Sequence, residues 1–120
     1  MNWKKIESVE QLEAIDELSK SNPVLIFKHS TRCGISMGVY ADFEETFRDG
    51  IPDNMEVFYL DILMHRNISN TIAEIYKVRH ESPQVLIIQN GRCIMNKAHF
   101  AINFDELKNF ILTETKKAWY

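Results

Sequence analysis

Four consecutive apolar residues, Val24-Leu25-Ile26-Phe27, constrain this chain more than any other feature. The run is too short for a helix and lacks polar alternation, so it reads as a strand buried on both faces. Such a strand needs helices on both sides of its sheet, which points to an α/β layer architecture. Asn22-Pro23 marks its start. The polar residues Lys28-His29-Ser30-Thr31-Arg32 follow it.

Helical periodicity surrounds this strand. Ser8-x-x-Gln11 reads as a capping box before Val9, Leu12, Ile15 and Leu18, which predicts a helix near 8–20. After Cys33, the four-residue recurrence of Ile35, Val39, Phe43 and Phe47 predicts a second helix to about Arg48. Asp49-Gly50-Ile51-Pro52-Asp53-Asn54 is turn chemistry. Residues 55–60 then read as a strand, with Val57, Phe58 and Tyr59 as its strong formers. Ile68, Ile72, Ile75 and Tyr76 mark a third helix, with Asn67 as its expected cap.

Residues 84–88 form the next apolar strand. Asn90-Gly91 behind it is a hairpin signal, because a type I′ turn needs positive φ at both central residues. A fourth strand over 92–97 should therefore pair antiparallel with the third. Asn103-x-x-Glu106 caps a last helix with an apolar face of Phe104, Leu107, Phe110 and Ile111. Asp105 and Glu106 open that helix and Lys116 and Lys117 close it, as the macrodipole favours. The order is α-β-α-β-α-β-β-α. A βαβ unit followed by a ββα unit describes a thioredoxin-like fold with one extra N-terminal helix. Its sheet would be four-stranded, mixed and flanked by helices. No repeat or linker divides the chain, so residues 1–120 read as one domain.

Composition narrows the function. A net charge of -3 gives no electrostatic footprint for nucleic acid or an anionic membrane surface. No apolar run approaches a membrane span, and the polar start Met1-Asn2-Trp3-Lys4-Lys5 does not read as a signal peptide. Two cysteines, Cys33 and Cys93, are too few for a secreted disulfide scaffold. The default compartment is then a reducing cytoplasm. The histidines and cysteines lack the short ligand spacings of a zinc site, so no metal is expected.

Cys33 is the candidate nucleophile. It stands where a buried strand has ended and a helix begins, and a helix N-terminus stabilises an anion through its free N–H groups and dipole. The thiolate is the reactive form of cysteine. Arg32 adds a positive charge, Gly34 leaves the approach to the sulfur open, and Ser36 completes Cys-x-x-Ser. The Ser36 hydroxyl could donate to the thiolate across one helical turn. It cannot act as a resolving thiol. Cys93 falls in the last strand, away from this helix start, and reads as a structural cysteine. His29 reads equally as a group that tunes Cys33 and as a solvated strand-end histidine.

Pro83 lies fifty residues after Cys33, just before a strand. X-Pro bonds are the common cis peptides. A cis Ser82–Pro83 bond beside Cys33 would leave Ser82 backbone groups free to pair with a substrate backbone.

These strings resemble the monothiol bacilliredoxin family. The resemblance rests on His29-Ser30-Thr31-Arg32-Cys33-Gly34-Ile35-Ser36, Tyr59-Leu60-Asp61, Ile68-Ser69-Asn70, His80-Glu81-Ser82-Pro83-Gln84-Val85-Leu86 and Ala98-His99-Phe100. It implies a cytoplasmic thioredoxin-fold enzyme that removes bacillithiol from mixed disulfides on other proteins. It also implies that Cys33 is the nucleophile and Ser36 the motif serine. His80 and His99 match family positions and read either as near-site or as structural histidines. The partners implied are thiolated proteins and a small thiol or reductase, with no resident cofactor. Gly34 after the cysteine is also the pattern of monothiol glutaredoxins. That leaves two alternatives: an iron–sulfur cluster carrier that uses Cys33 with external thiols, and a redox-silent interaction module.

Overall fold

Val24, Leu25, Ile26 and Phe27 are fully buried in the computed structural model, and they sit in the middle strand of its sheet. The structure describes residues 1–51 and 55–117, with side chains through residue 113. The Pro52-Asp53-Asn54 part of the expected turn, and the Lys116 and Lys117 side chains, lie outside the described residues. The elements run β1 (Lys4–Lys5), α1 (Glu10–Leu18), β2 (Val24–His29), α2 (Gly34–Thr46) and β3 (Glu56–Asp61). They continue with α3 (Arg66–Tyr76), β4 (Gln84–Gln89), β5 (Arg92–Ala98), a single 3-10 turn (His99–Ala101) and α4 (Phe104–Lys117).

The sheet order is β1-β3-β2-β4-β5. β2 pairs parallel with β3 and antiparallel with β4, and β4 pairs antiparallel with β5. Alternation along β2 divides the core. Val24 and Ile26 pack with Leu12 and Ile15 of α1 and Ile68 and Ile72 of α3. Leu25 and Phe27 pack with Val39 and Phe43 of α2 and Leu107 and Ile111 of α4. Burying four such side chains contributes about 6–12 kcal/mol, which is on the scale of a whole domain's net stability. The run therefore dictates a sheet covered on both faces. No described helix is long and apolar enough to cross a membrane.

The sheet has five strands, not four. β1 pairs parallel with β3 through Lys4↔Phe58 and Lys5↔Tyr59. Two exposed lysines carry no hydrophobic period, so this edge strand left no signal in the sequence. β2 extends two residues past Phe27, because Lys28 and His29 still pair with Leu60 and Asp61.

Three helix starts test the capping signals. At α4 the cap forms: Asn103 Oδ1 accepts the Glu106 N–H at 2.9 Å. At α1 only half of the box forms. Gln11 Oε1 accepts the Ser8 N–H at 2.9 Å, but Ser8 Oγ makes no cap bond, and the helix begins at Glu10. Asn67 does not cap α3; the cap position is His65. The His65 N–H bonds the Asp61 carbonyl at 3.0 Å, which tightens the turn and starts the helix before Asn67. The hairpin takes the expected form, with φ of 53° at Asn90 and 73° at Gly91.

Candidate active site

One end of the sheet gathers the candidate residues. His29 at the end of β2 pairs with Asp61 at the end of β3. Lys28 pairs with Gln84 at the start of β4, which pairs with Ala98 at the end of β5. The segment 30–33 leaves this edge and turns into α2. The Cys33 N–H bonds the Ser30 carbonyl at 3.2 Å, and the Cys33 carbonyl accepts the Met37 N–H at 2.9 Å. Cys33 is thus the N-cap residue of α2, in extended conformation at φ -106° and ψ 122°. It is a free cysteine and partly exposed.

Its neighbours follow from the helix start. Arg32 and Gly34 are both exposed. A Cβ built on Gly34 meets nothing within 4 Å, so the site is open there whether or not the residue is glycine. The Ser82–Pro83 peptide is cis, and the Pro83 carbonyl accepts the His99 N–H at 3.0 Å. Ser82, Pro83 and the His99 backbone therefore sit at the same sheet end as Cys33. Ser82 Oγ is buried without a hydrogen-bond partner among the described residues.

Ser36 corrects a geometric expectation. Its buried hydroxyl accepts the Ser30 N–H at 2.9 Å and lies 2.6 Å from His29 Nδ1. No Ser36–Cys33 bond is among those described. The hydroxyl fixes the loop that carries Cys33 instead of serving the sulfur directly. His29 is not a solvated strand-end group either, being 2% exposed. Its ring stacks on Phe27 at 5.1 Å and Tyr40 at 5.5 Å. Burial pushes the imidazole below its ordinary range, against an upward pull from Asp61. Ser36 Oγ and His29 Nδ1 share this hydrogen bond, and the ring tautomer decides which of the two donates.

The opposite face of β2 holds a second polar group of residues. Lys28 is fully buried, and its ammonium donates to the Ser69 carbonyl at 3.3 Å. Burial lowers it to about 8, with a further push from Arg66. Ser69 Oγ is hydrogen-bonded to His80 Nδ1, so His80 belongs to this α3 side and not to Cys33. Burial also lowers His80, helped by Lys28 and Arg66. Cys93 packs against the same core. His99 is exposed and joins the Cys33 end through its backbone. Among the described residues no three histidine, cysteine or acidic side chains are grouped to hold a metal ion.

The sequence reading missed the aromatic flank of the site. Trp3 stacks on Tyr40 and lies near Tyr59, with both ring pairs at 6.5 Å. His29 and Tyr59 are 5.4 Å apart. Tyr40 was detectable in principle, four residues beyond Ser36 on the same helix face. Trp3 was not, since the β1–β3 pairing that positions it carries no pattern.

A family model described as Monothiol bacilliredoxin BrxC matches residues 4–107. One solved structure, assigned as an oxidoreductase with a thioredoxin fold, is 31% identical, has a TM-score of 0.73, and aligns over 88% of this chain and 89% of its own. The thioredoxin of Malassezia sympodialis is 17% identical, with a TM-score of 0.73 over 95% of this chain and 91% of its own. The thioredoxin of Fasciola hepatica is 15% identical, with a TM-score of 0.70 over 91% and 96%. These last two share the fold.

Proposed function

The chain belongs to the monothiol bacilliredoxin family, and from that premise we propose that it removes bacillithiol from protein mixed disulfides through Cys33. Family and fold together support a thiol oxidoreductase. The observation that carries the finer reading is the position of Cys33. It is partly exposed at the N-terminus of α2, while Cys93 faces the other side of the sheet.

The cycle needs one cysteine of this chain. The Cys33 thiolate attacks the bacillithiol sulfur of the mixed disulfide. A Cys33–bacillithiol disulfide forms, the old S–S bond breaks, and the substrate protein leaves as a thiolate that takes a proton from water. A second bacillithiol thiolate then attacks the sulfur carried on Cys33. It leaves as bacillithiol disulfide, and Cys33 is free again. The substrate cysteine is reduced, the second small thiol is oxidised, the first passes from one disulfide to another, and the chain is unchanged.

Ser36 and His29 are positioning residues in this reading. They anchor Ser30, the residue whose carbonyl holds the Cys33 N–H. The Ser82 backbone beside cis Pro83 offers an edge for the substrate chain. Phe100, 87% exposed and next in sequence to the His99 whose N–H bonds Pro83, and the exposed Ile35 and Met37 give an apolar rim for the same partner. The chemistry belongs in a compartment where small thiols keep cysteines reduced, the cytoplasm.

Incubating the reduced protein with a bacillithiolated protein and measuring intact masses tests this. The expected product is a bacillithiol adduct on Cys33, with loss of the adduct from the substrate. Failure to accept any small thiol would sink the reading.

A further inference from the structure

The sheet end that carries Cys33 also holds a buried polar layer on its α3 face, and the transfer cycle does not use it. Lys28 of β2 and Gln84 of β4 pair directly across the ladder, so their side chains share one face. Both are fully buried, as is Ser69 of α3. Buried polar groups are unfavourable unless bonded, and apolar side chains would close this face with less desolvation. The bonds that compensate converge on one loop. Gln84 Nε2 donates to the Arg79 carbonyl at 3.0 Å, and Gln84 Oε1 accepts the Glu81 N–H at 3.4 Å. One carboxamide thus clasps the backbone on both sides of His80. His80 Nδ1 is hydrogen-bonded to Ser69 Oγ, and the Ser69 carbonyl accepts from the Lys28 ammonium at 3.3 Å.

The loop held in this way is the one that delivers Ser82 and Pro83. It leaves α3 at Lys77, which has a φ of 57°, and the Val78 N–H bonds the Ala73 carbonyl at 3.1 Å. It joins the sheet at Gln84. Residues 78–83 between these points belong to no helix or strand, so their path depends on side-chain bonds. His80 faces Lys28 from β2, Arg66 from α3 and Glu81 from its own loop. Burial and the two cations hold its ring below the ordinary range, against the pull of Glu81. An uncharged ring can stay packed on α3 without a counter-ion.

We propose that His80 and Gln84 are positioning residues for the substrate protein: through Ser69 and the loop backbone they fix the Ser82 edge on which that protein docks. The inference rests on the transfer reading and adds to it the device that holds the docking edge in place. No bond from either side chain to Cys33 is among those described. Gln84 binds the loop two and four residues before Pro83, and His80 ties it to α3. Loss of either should therefore weaken docking of the protein and leave the chemistry at Cys33 unchanged.

The test measures kcat and KM on one bacillithiolated protein by intact mass. Beside it runs the rate at which hydroxyethyl disulfide, which has no peptide backbone, modifies Cys33. Gln84→Met and His80→Phe should each raise KM about tenfold and leave kcat and the hydroxyethyl disulfide rate within about twofold. His80→Asn keeps a short hydrogen-bonding arm and should return KM to within about threefold of wild type. Ser69→Ala removes the His80 bond from the α3 side with the loop sequence intact, and should match His80→Phe. The Ser69→Ala, His80→Phe double variant should be no worse than either single, because both remove one bond. Ser69→Ala decides the outcome if His80→Phe does not fold by circular dichroism. An unchanged KM in these variants overturns the positioning role and leaves the transfer chemistry standing. An equal fall in the hydroxyethyl disulfide rate makes the layer a general support of the fold, and also overturns it. If wild type accepts hydroxyethyl disulfide but takes no bacillithiol from the protein, the transfer reading itself is removed.

Discussion

Cys33 and Cys93 are two free thiols on one small sheet, and the fold treats them in opposite ways. Cys33 opens the helix that covers the α2–α4 face and is a partly exposed residue. Cys93 lies in β5 against the α1–α3 core, and its thiol donates to the Met95 carbonyl at 3.2 Å. Burial pushes the Cys93 thiol up, and the nearby Lys28 ammonium offsets this only in part. The same residue type is thus a candidate nucleophile at a helix start and a weak apolar filler in a strand. The distinction comes from where the backbone delivers the sulfur, and it can be broken by experiment.

The largest expected effect is on turnover. Cys33→Ser should lower dethiolation by at least about a thousandfold, since the chain's other cysteine, Cys93, packs on the far side of the sheet. Cys93→Ser should stay within about twofold of wild type. Intact-mass assays on both variants check the pair. A large loss in Cys93→Ser, with the fold intact by circular dichroism, would mean that the two thiols communicate.

A smaller effect separates the two faces of β2 by stability. Lys28 is charged in an unfolded chain up to its ordinary 10.5 but only to about 8 when folded. Between these values the unfolded state binds more protons, so stability rises with pH from about 8 to 10. Below that window the buried charge costs about 3 kcal/mol at most. Lys28→Met keeps the length and loses one bond to Ser69, so it should gain about 2 kcal/mol at pH 7 and flatten the rise above pH 8. Urea midpoints at pH 7 and 9.5 measure both. A destabilised, still pH-dependent variant would show that Lys28 is held by more than its bond to Ser69.

Much of this arrangement was legible because it rests on periodic or local signals. The buried run at 24–27, the Asn90-Gly91 turn and the Asn103 cap each state their structure within a few residues. The strand-to-helix placement of Cys33 follows from two such signals in succession. What the sequence hid depends on tertiary cover. Lys28 and His29 read as polar surface, yet α3 covers one and the Trp3–Tyr40–Tyr59 rings enclose the other. Ser36 sits one helical turn from Cys33, which suggested a bond to sulfur; the third partner, His29, is fixed only by packing. Lys4 and Lys5 became a strand because β3 offered a free edge, and no pattern in two lysines announces that.

The subtlest contrast between the cysteines is their rate of alkylation in the native protein. Iodoacetamide needs a thiolate and a clear approach. Cys33 offers open space toward Gly34, while Cys93 is half-buried, hydrogen-bonded and pushed up. At pH 7.5 Cys33 should react about tenfold faster, read by peptide mass after timed quenching. Lys28 supplies a control, because its positive charge is one of the influences that holds Cys93 down. Removing it in Lys28→Met should slow Cys93 further and leave Cys33 unchanged, since Lys28 faces α3 and Cys33 opens α2 on the other side. Equal alkylation of both thiols would place Cys93 in solvent and break the comparison. A shift of both rates on losing Lys28 would mean that charge reaches across the sheet, so that His29 and Ser36 do not insulate the site.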